Sequence, residues 1–230
     1  MNSSRDRARP WDIDRLTLSA QSAHDLDLLT GSGRKVRVFT PTEPAIVLGS
    51  TQPDSIIDRD ALAARSMQVA RRRSGGGAVL VDASVVWIDF SIARDDPLWV
   101  DDIGRSMQWL GRLWSRALNC AGVDASVHER PPLVSALSRA ICFCGIGHGE
   151  VIVDGRKVVG ISQRRTRNGA RFQTMLMTQR DDVLIDVLRL ADRDDARAQY
   201  ADAVYVCALS PEIVVGAVIE QLSASPDPSK

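Results

Sequence analysis

The sequence lacks a net charge. Its 29 basic side chains balance 29 acidic ones over 230 residues, so no global field would hold the protein on nucleic acid or an anionic membrane. Any electrostatic recognition must be local. A long apolar run is also missing: the longest, such as Ile213 to Ile219, falls far short of the roughly 20 residues that cross a bilayer. Met1 to Pro10 carries Arg5, Arg7 and Arg9 without an apolar core of signal-peptide length. These absences predict a soluble, cytoplasmic protein with neither nucleic acid nor membrane as partner. Cysteine is scarce as well. Cys120, Cys142, Cys144 and Cys207 in a chain without an export signal predict free thiols in a reducing compartment. There is no Cys-x-x-Cys pair and no second Cys/His pair at zinc-finger spacing, so Cys142, Cys144 and His148 predict no metal site.

What is present is an ordinary globular composition, 44% hydrophobic and 25% charged, enough for one sizeable core. Residues 11–222 are expected to form a single domain, with flexible ends at 1–10 and 223–230. Ile13 to Leu18 alternates like a strand, and Ala20 to Leu29 reads as a short helix. Lys35 to Phe39 and Ala45 to Gly49 are strand-like runs separated by Pro41 and Pro44, which predicts a hairpin or tight connection. Asp58 to Met67 follows as a helix. Val79, Leu80 and Val85 to Ile92 are β-rich. The clearest helix is Asp102 to Ala121, with Ile103, Met107, Leu110, Trp114, Ala117 and Ala121 at helical spacing. Val151 to Val153 and Val158 to Ser162 flank Asp154-Gly155, a pair that tolerates positive φ in two-residue hairpin turns. Asp181 to Leu190 and Pro211 to Leu222 read as closing helices. Strands and helices mix without regular alternation, which predicts an α+β fold rather than a doubly wound parallel sheet.

Two stretches carry chemistry. In Arg71-Arg72-Arg73-Ser74-Gly75-Gly76-Gly77-Ala78-Val79, three consecutive glycines let backbone amides approach a ligand, and the arginines could hold an anion. A flexible loop with a solvated basic run is the plain alternative. The Lys-Ser/Thr ending of a Walker loop is missing. In Asp154-Gly155-Arg156-Lys157-Val158-Val159-Gly160-Ile161-Ser162-Gln163, one lysine begins a strand, where its ammonium could meet a carboxylate, a phosphate or a developing oxyanion, or simply be solvated.

In this order the two stretches resemble the lipoate-protein ligases and the related cysteine-dependent octanoyltransferases, over about Pro44 to Gly169. Val47-Leu48-Gly49 with Gln52 is similar to the family's first acyl-pocket strand. The resemblance implies a mixed β-sheet packed with helices on one side, in a biotin/lipoate protein ligase-like catalytic domain. It implies that Arg72, Ser74, Gly75, Gly76, Gly77 and Ala78, with Gly160 and Gln52, shape the acyl and nucleotide site. Lys157 would bind the acyl carbonyl or acyl-phosphate oxygen.

Ser74 and the third glycine, Gly77, match the ligase pattern, where octanoyltransferases often carry arginine. The leading expectation is therefore a ligase that attaches lipoate or octanoate to a lysine of an acceptor lipoyl domain through an acyl-adenylate, using ATP and Mg2+. Against it, Ile141-Cys142-Phe143, fifteen positions ahead of Lys157, resembles the Cys-Phe pair that bears the transferases' thioester nucleophile. Cys142 could equally be a small buried apolar residue. Ligases usually carry a small extra C-terminal domain, and the segment after Met177 is short for one. The alternative is transfer of octanoyl from acyl carrier protein through Cys142, with no cofactor. Val81 stands where the family has histidine, and Phe172-Gln173-Thr174 where a His-Gly pair is usual, so a catalytically silent binding protein is the third expectation. Arg164, Arg165, Arg167 and Arg171 form a basic cluster that could meet an acidic carrier.

Overall fold

The computed structural model describes residues 9–29 and 33–224. The expected flexible ends fall largely outside the described residues; of them, Arg9 pairs with Asp95 at 2.8 Å and Ser223 and Ala224 belong to the last helix.

Ten strands and seven helices fill the described chain. The strands are β1 (Trp11–Leu18), β2 (Arg34–Pro41), β3 (Ala45–Leu48), β4 (Gln68–Arg71), β5 (Val79–Val81), β6 (Val85–Ala93), β7 (Ser126–Val127), β8 (Val151–Val153), β9 (Arg156–Arg165) and β10 (Gly169–Met177). The helices are α1 (Ala20–Asp25), α2 (Arg59–Ala63), α3 (Gln108–Cys120), α4 (Ala136–Ala140), α5 (Val183–Val187), α6 (Arg193–Ala203) and α7 (Pro211–Ala224). A seven-stranded sheet runs β1-β2-β6-β10-β9-β8-β7, parallel only at β1–β2. A three-stranded sheet runs β4-β3-β5, parallel at β3–β4 and antiparallel at β3–β5. This is the mixed-sheet α+β architecture the sequence predicts.

The central strands β6 and β10 of the large sheet are buried on both faces, and period-two alternation assigns each side chain to one of them. On β6, Val86, Ile88, Phe90 and Ile92 join a core with Trp109, Leu113 and Trp114 of α3 and Val214 and Val218 of α7. Val85 and Trp87 point the other way, into a core with Ile46 and Leu48 of the small sheet, Ala23 of α1 and Tyr200 of α6. The long helices α3 and α7 thus cover one face as the resemblance implies, while the other carries the small sheet and the short helices. Among the described residues no helix is long and apolar enough to cross a membrane.

Several local expectations are corrected. The runs on either side of Pro41 and Pro44 do not form a hairpin: β2 pairs with β6, whereas β3 crosses into the small sheet. The α-helix expected from Asp102 begins at Gln108, after a 3-10 turn, and Ile103 is 64% exposed. Asp102 caps instead, its carboxylate accepting from the Arg105 amide. Helix α5 is only five residues long, and α4 and α6 were not foreseen from the sequence. The Asp154-Gly155 turn forms as expected, with both residues at positive φ, 50° and 75°.

Candidate active site

The glycine loop joins β4 to β5 across the mouth of a cleft of about 660 Å³. Two ties fix its position. The Ala78 amide donates to the Ala140 carbonyl at 2.7 Å, and the Cys142 amide donates to the Ala78 carbonyl at 2.9 Å. The loop is thereby laced to the segment that bears Cys142. The approach is so close that a Cβ on Gly77 would lie 2.7 Å from the Cys142 nitrogen, against backbone that cannot move aside. Gly77→Ala is therefore expected to displace the Ile141–Cys142 backbone, destabilising the fold by about 1–3 kcal/mol. Labelling of Cys142 by a small thiol reagent, followed by mass spectrometry, should change rate in that variant.

Arg72 braces the loop from behind. Its guanidinium is buried and donates to the carbonyls of Val47, Gly75 and Gly77. Arg71 similarly donates to the Gly49 and Gln52 carbonyls and to Asp54. The donors of Arg72 hold the loop's own backbone, and those of Arg71 hold the segment after β3. Gln52 clamps from the other side: its Oε1 accepts from the Gly49 amide, and its Nε2 donates to the Arg139 and Ala140 carbonyls.

Lys157 lies at the cleft floor, 2% exposed. Its Nζ donates to the Cys142 carbonyl at 2.7 Å and to the Glu150 carboxylate at 3.0 and 3.1 Å, and sits 5.0 Å from the Phe143 ring centroid. Burial alone would lower its pKa, but the charge of Glu150, helped by Cys142, raises it, so the side chain is an ammonium. Glu150 is held in turn by the amides of Gly147 and Ile161. Cys142, half-buried, borders the cleft beside Gly75, Gly76 and Lys157. Cys144, two residues on, is also half-buried, and burial pushes its thiol up to about 12.

Behind Cys142 is a second, smaller chamber of about 30 Å³, walled by Val79, Phe143, Gly160, Met175, Arg72 and His24 among others. Cys142, Ile161 and Ser162 line both spaces. Ser74 lines neither; its hydroxyl donates to Gln173 Oε1 at 2.9 Å and lies 3.0 Å from the Ser162 hydroxyl, one bond behind the chamber wall.

A family model described as the lipoyl protein ligase A/B catalytic domain matches residues 15–221. The chain belongs to that family. Among curated relatives, octanoyltransferase LipM of Moorella thermoacetica is 29% identical over 190 residues, 80% of this chain and 68% of its own. Octanoyltransferase LipM of Kyrpidia tusciae is 28% identical over 157 residues, 66% of this chain. The chain spans 54% of that relative's length. In fold it is similar to the bipartite lipoate protein ligase of Thermoplasma acidophilum, with a TM-score of 0.76 at 18% identity, over 95% of this chain and 83% of that one.

Within this lipoyl ligase-type domain, the sequence motifs converge on the two spaces. Gln52, Gly75, Gly76, Gly77, Cys142 and Lys157 line the cleft; Arg72, Cys142 and Gly160 line the chamber; Ala78 is the tie between loop and cysteine. Arg171 leaves the surface cluster to which its sequence neighbours belong. It is 4% exposed, bonded to Asp89 and to the carbonyls of Ala23, His24 and Leu26, and so caps α1. Sequence reasoning missed Glu150 and His24. The hairpin gives no clean signal for Glu150, which precedes β8, because the β8–β9 pairing shifts register between Val151 and Ile152.

His24 replaces neither expected histidine in sequence, yet Gln173 Nε2 donates to its Nδ1 at 2.9 Å, beside one of those positions. Burial first, then the charges of Arg171 and Arg72, lower its pKa to about 3. Because the unfolded histidine titrates near 6.5, the unfolded chain binds the extra proton between those limits, and stability falls as pH drops from about 6.5 towards 3. Urea unfolding at stepped pH should show His24→Gln losing up to about 1.4 kcal/mol per pH unit less than the parent over that window.

Proposed function

We propose that residues 11–222 act as one catalytic unit that transfers an octanoyl-type acyl group through a thioester on Cys142. The observation that supports this best is the contact of the buried Lys157 ammonium with the Cys142 carbonyl at 2.7 Å, at the floor of the cleft that Cys142 borders. The field of an ammonium there favours the negative oxygen of a tetrahedral intermediate.

In the first step the Cys142 thiolate attacks the carbonyl carbon of a carrier thioester. The carrier sulfur leaves and takes up a proton. In the second, a lysine amine of an acceptor lipoyl domain attacks the Cys142 thioester, an amide forms, the amine loses its proton, and the thiolate returns. The apolar lining of cleft and chamber suits the chain of the acyl group, and the loop tie keeps Cys142 at their junction.

An ATP-Mg2+ site fits these residues less well. The cationic side chains that line the cleft are Lys157 and Arg139, and Lys157 is already paired with Glu150, the one carboxylate lining it. Gly77, read in the sequence as a ligase feature, has a sufficient cause in the close approach of the Cys142 backbone.

The test is intact-mass spectrometry of an apo lipoyl domain incubated with the protein and either octanoyl-carrier protein or octanoate with ATP-Mg2+. Mass gain from the carrier thioester without ATP, with an octanoyl adduct on Cys142, is the expected result. Gain only from free lipoate or octanoate with ATP would replace this proposal with ligation. No gain from either, alongside an active control enzyme, would leave a binding role.

A further inference from the structure

Around the turn of the β9–β10 hairpin, Arg94, Arg105, Arg164, Arg165 and Arg167 gather on one surface with the chain that precedes α3. Side chains join the two segments. Arg165 donates to the Val100 and Asp101 carbonyls, and Gln163 Nε2 donates to the Ile103 carbonyl. The Arg94 and Arg165 guanidinium groups lie 5.4 and 4.5 Å from the Trp99 ring centroid. Arg165 is thereby committed to the fold. Arg105, Arg164 and Arg167 are not: among the described residues none of the three makes an ion pair. The nearby carboxylates do not neutralise the group. Asp95 and Asp96 are matched by Arg9 and Arg34, which leaves Asp101 and Asp102 against five arginines, an excess of three positive charges in a chain whose formal total is zero.

Apolar side chains stand among these charges. Ile103 is 64% exposed and Val100 36%, although α3, which follows, buries its own apolar face. A merely solvated basic loop gains nothing from an isoleucine held in water, whereas an apolar centre with a rim of one charge sign is the anatomy of a protein-docking face.

The patch is continuous with the cleft. Strand β9 runs from Lys157 at the cleft floor, past Ile161 and Ser162 in its wall, to this surface, and alternation puts Arg164 on the same face of the strand as Ser162. At about 3.3 Å per residue, Arg164 is about 7 Å beyond Ser162 along the chain and Arg167 about 16 Å. That spacing selects the occupant. An acceptor lysine has only a four-carbon stem with which to bring its amine to the Cys142 thioester, so its domain must press on the cleft mouth itself. A carrier presents its acyl group on a much longer prosthetic arm, and its body can rest on the patch while the arm crosses to Cys142.

We propose that Arg105, Arg164 and Arg167 around Ile103 form the docking face for the acyl-bearing carrier, and that this face recognises an acidic surface on it. The proposal rests on transfer from a carrier thioester and adds where the carrier sits. The arginines act on encounter and binding, and the bond-making stays at Cys142.

The experiment reads binding apart from chemistry. Fluorescently labelled holo-acyl carrier protein is titrated, by anisotropy, with the Cys142→Ala protein and with the same protein carrying Arg105→Glu, Arg164→Glu and Arg167→Glu. The triple reversal should weaken binding at least about tenfold at low salt, and added salt should narrow the difference as the charges are screened. With Cys142 intact, the same reversal should raise KM for octanoyl-carrier protein at least about tenfold and leave turnover of octanoyl-pantetheine, a thioester without a protein body, unchanged. No binding by the Cys142→Ala protein, binding indifferent to the reversal, or an equal loss with octanoyl-pantetheine overturns the proposal. So does a reversal that weakens binding of an apo lipoyl domain and spares the carrier, which would give the patch to the acceptor. Should the triple variant fail to fold, Arg167→Glu alone, at the exposed hairpin turn, is read in the same way, with a loss of at least about threefold expected. Failure of carrier-dependent acylation with carrier binding intact would undo the transfer proposal and leave the docking face standing.

Discussion

Replacement of Cys142 by serine is expected to abolish the acyl adduct and to slow transfer from a carrier thioester by at least about a thousandfold. The reason lies in which atom can attack unaided. Sulfur is intrinsically the stronger nucleophile, whereas a serine hydroxyl needs a general base, and none of the side chains touching the cysteine segment can act as one. Glu150 is bound to Lys157 and to two backbone amides, and His24 is neutral and bonded to Gln173. The fold should tolerate the change, because Cys142 is half-buried and its segment is held by the backbone bonds at Ala78, so thermal unfolding should stay within a few degrees of the parent. Steady-state transfer, adduct mass and melting temperature measured on the same preparation check all three statements. Full activity of Cys142→Ser with free octanoate and ATP would show instead that the acyl group is activated as an adenylate.

How far the site could be seen in the sequence depended on how local each feature is. The glycine loop and the Lys157 strand were legible because consecutive residues carry them: three glycines mark close backbone approach, and Asp154-Gly155 fixes a two-residue turn with Lys157 just beyond it. The α+β class followed from irregular element order. Topology did not, because the chain between β2 and β3 reads locally like a hairpin while the pairing partners, β6 for β2 and β5 for β3, lie 48–56 and 32–36 residues away. His24 was invisible for a similar reason. It sits on a six-residue helix with no motif around it, and only the fold brings it to Gln173, 149 positions later. Arg171 misled in the opposite sense, since its arginine neighbours suggested a surface patch and nothing local announced Asp89 on the adjoining strand.

Glu150→Ala is expected to have the largest effect on stability. It leaves the Lys157 ammonium 2% exposed with only the Cys142 carbonyl as partner, and orphans the Gly147 and Ile161 amides that the carboxylate now accepts. Removing one member of such a buried pair costs about 3–5 kcal/mol. For a domain of this size that corresponds to a fall of roughly 10 °C in melting temperature. The pair's own contribution is present below the unfolded lysine pKa of 10.5 and is lost as pH rises through the raised folded value, so the comparison belongs at neutral pH, where it is complete. Stability and chemistry then separate in the double variant Glu150→Leu with Lys157→Met. Replacing both charges by apolar side chains of similar volume should recover most of the lost melting temperature, because no charge is left uncompensated. Transfer should not recover, because the ammonium that favours the negative oxygen of the tetrahedral intermediate is gone. A double variant that is both stable and fully active would mean that the Lys157–Glu150 pair serves the fold alone and that Cys142 draws its reactivity from elsewhere.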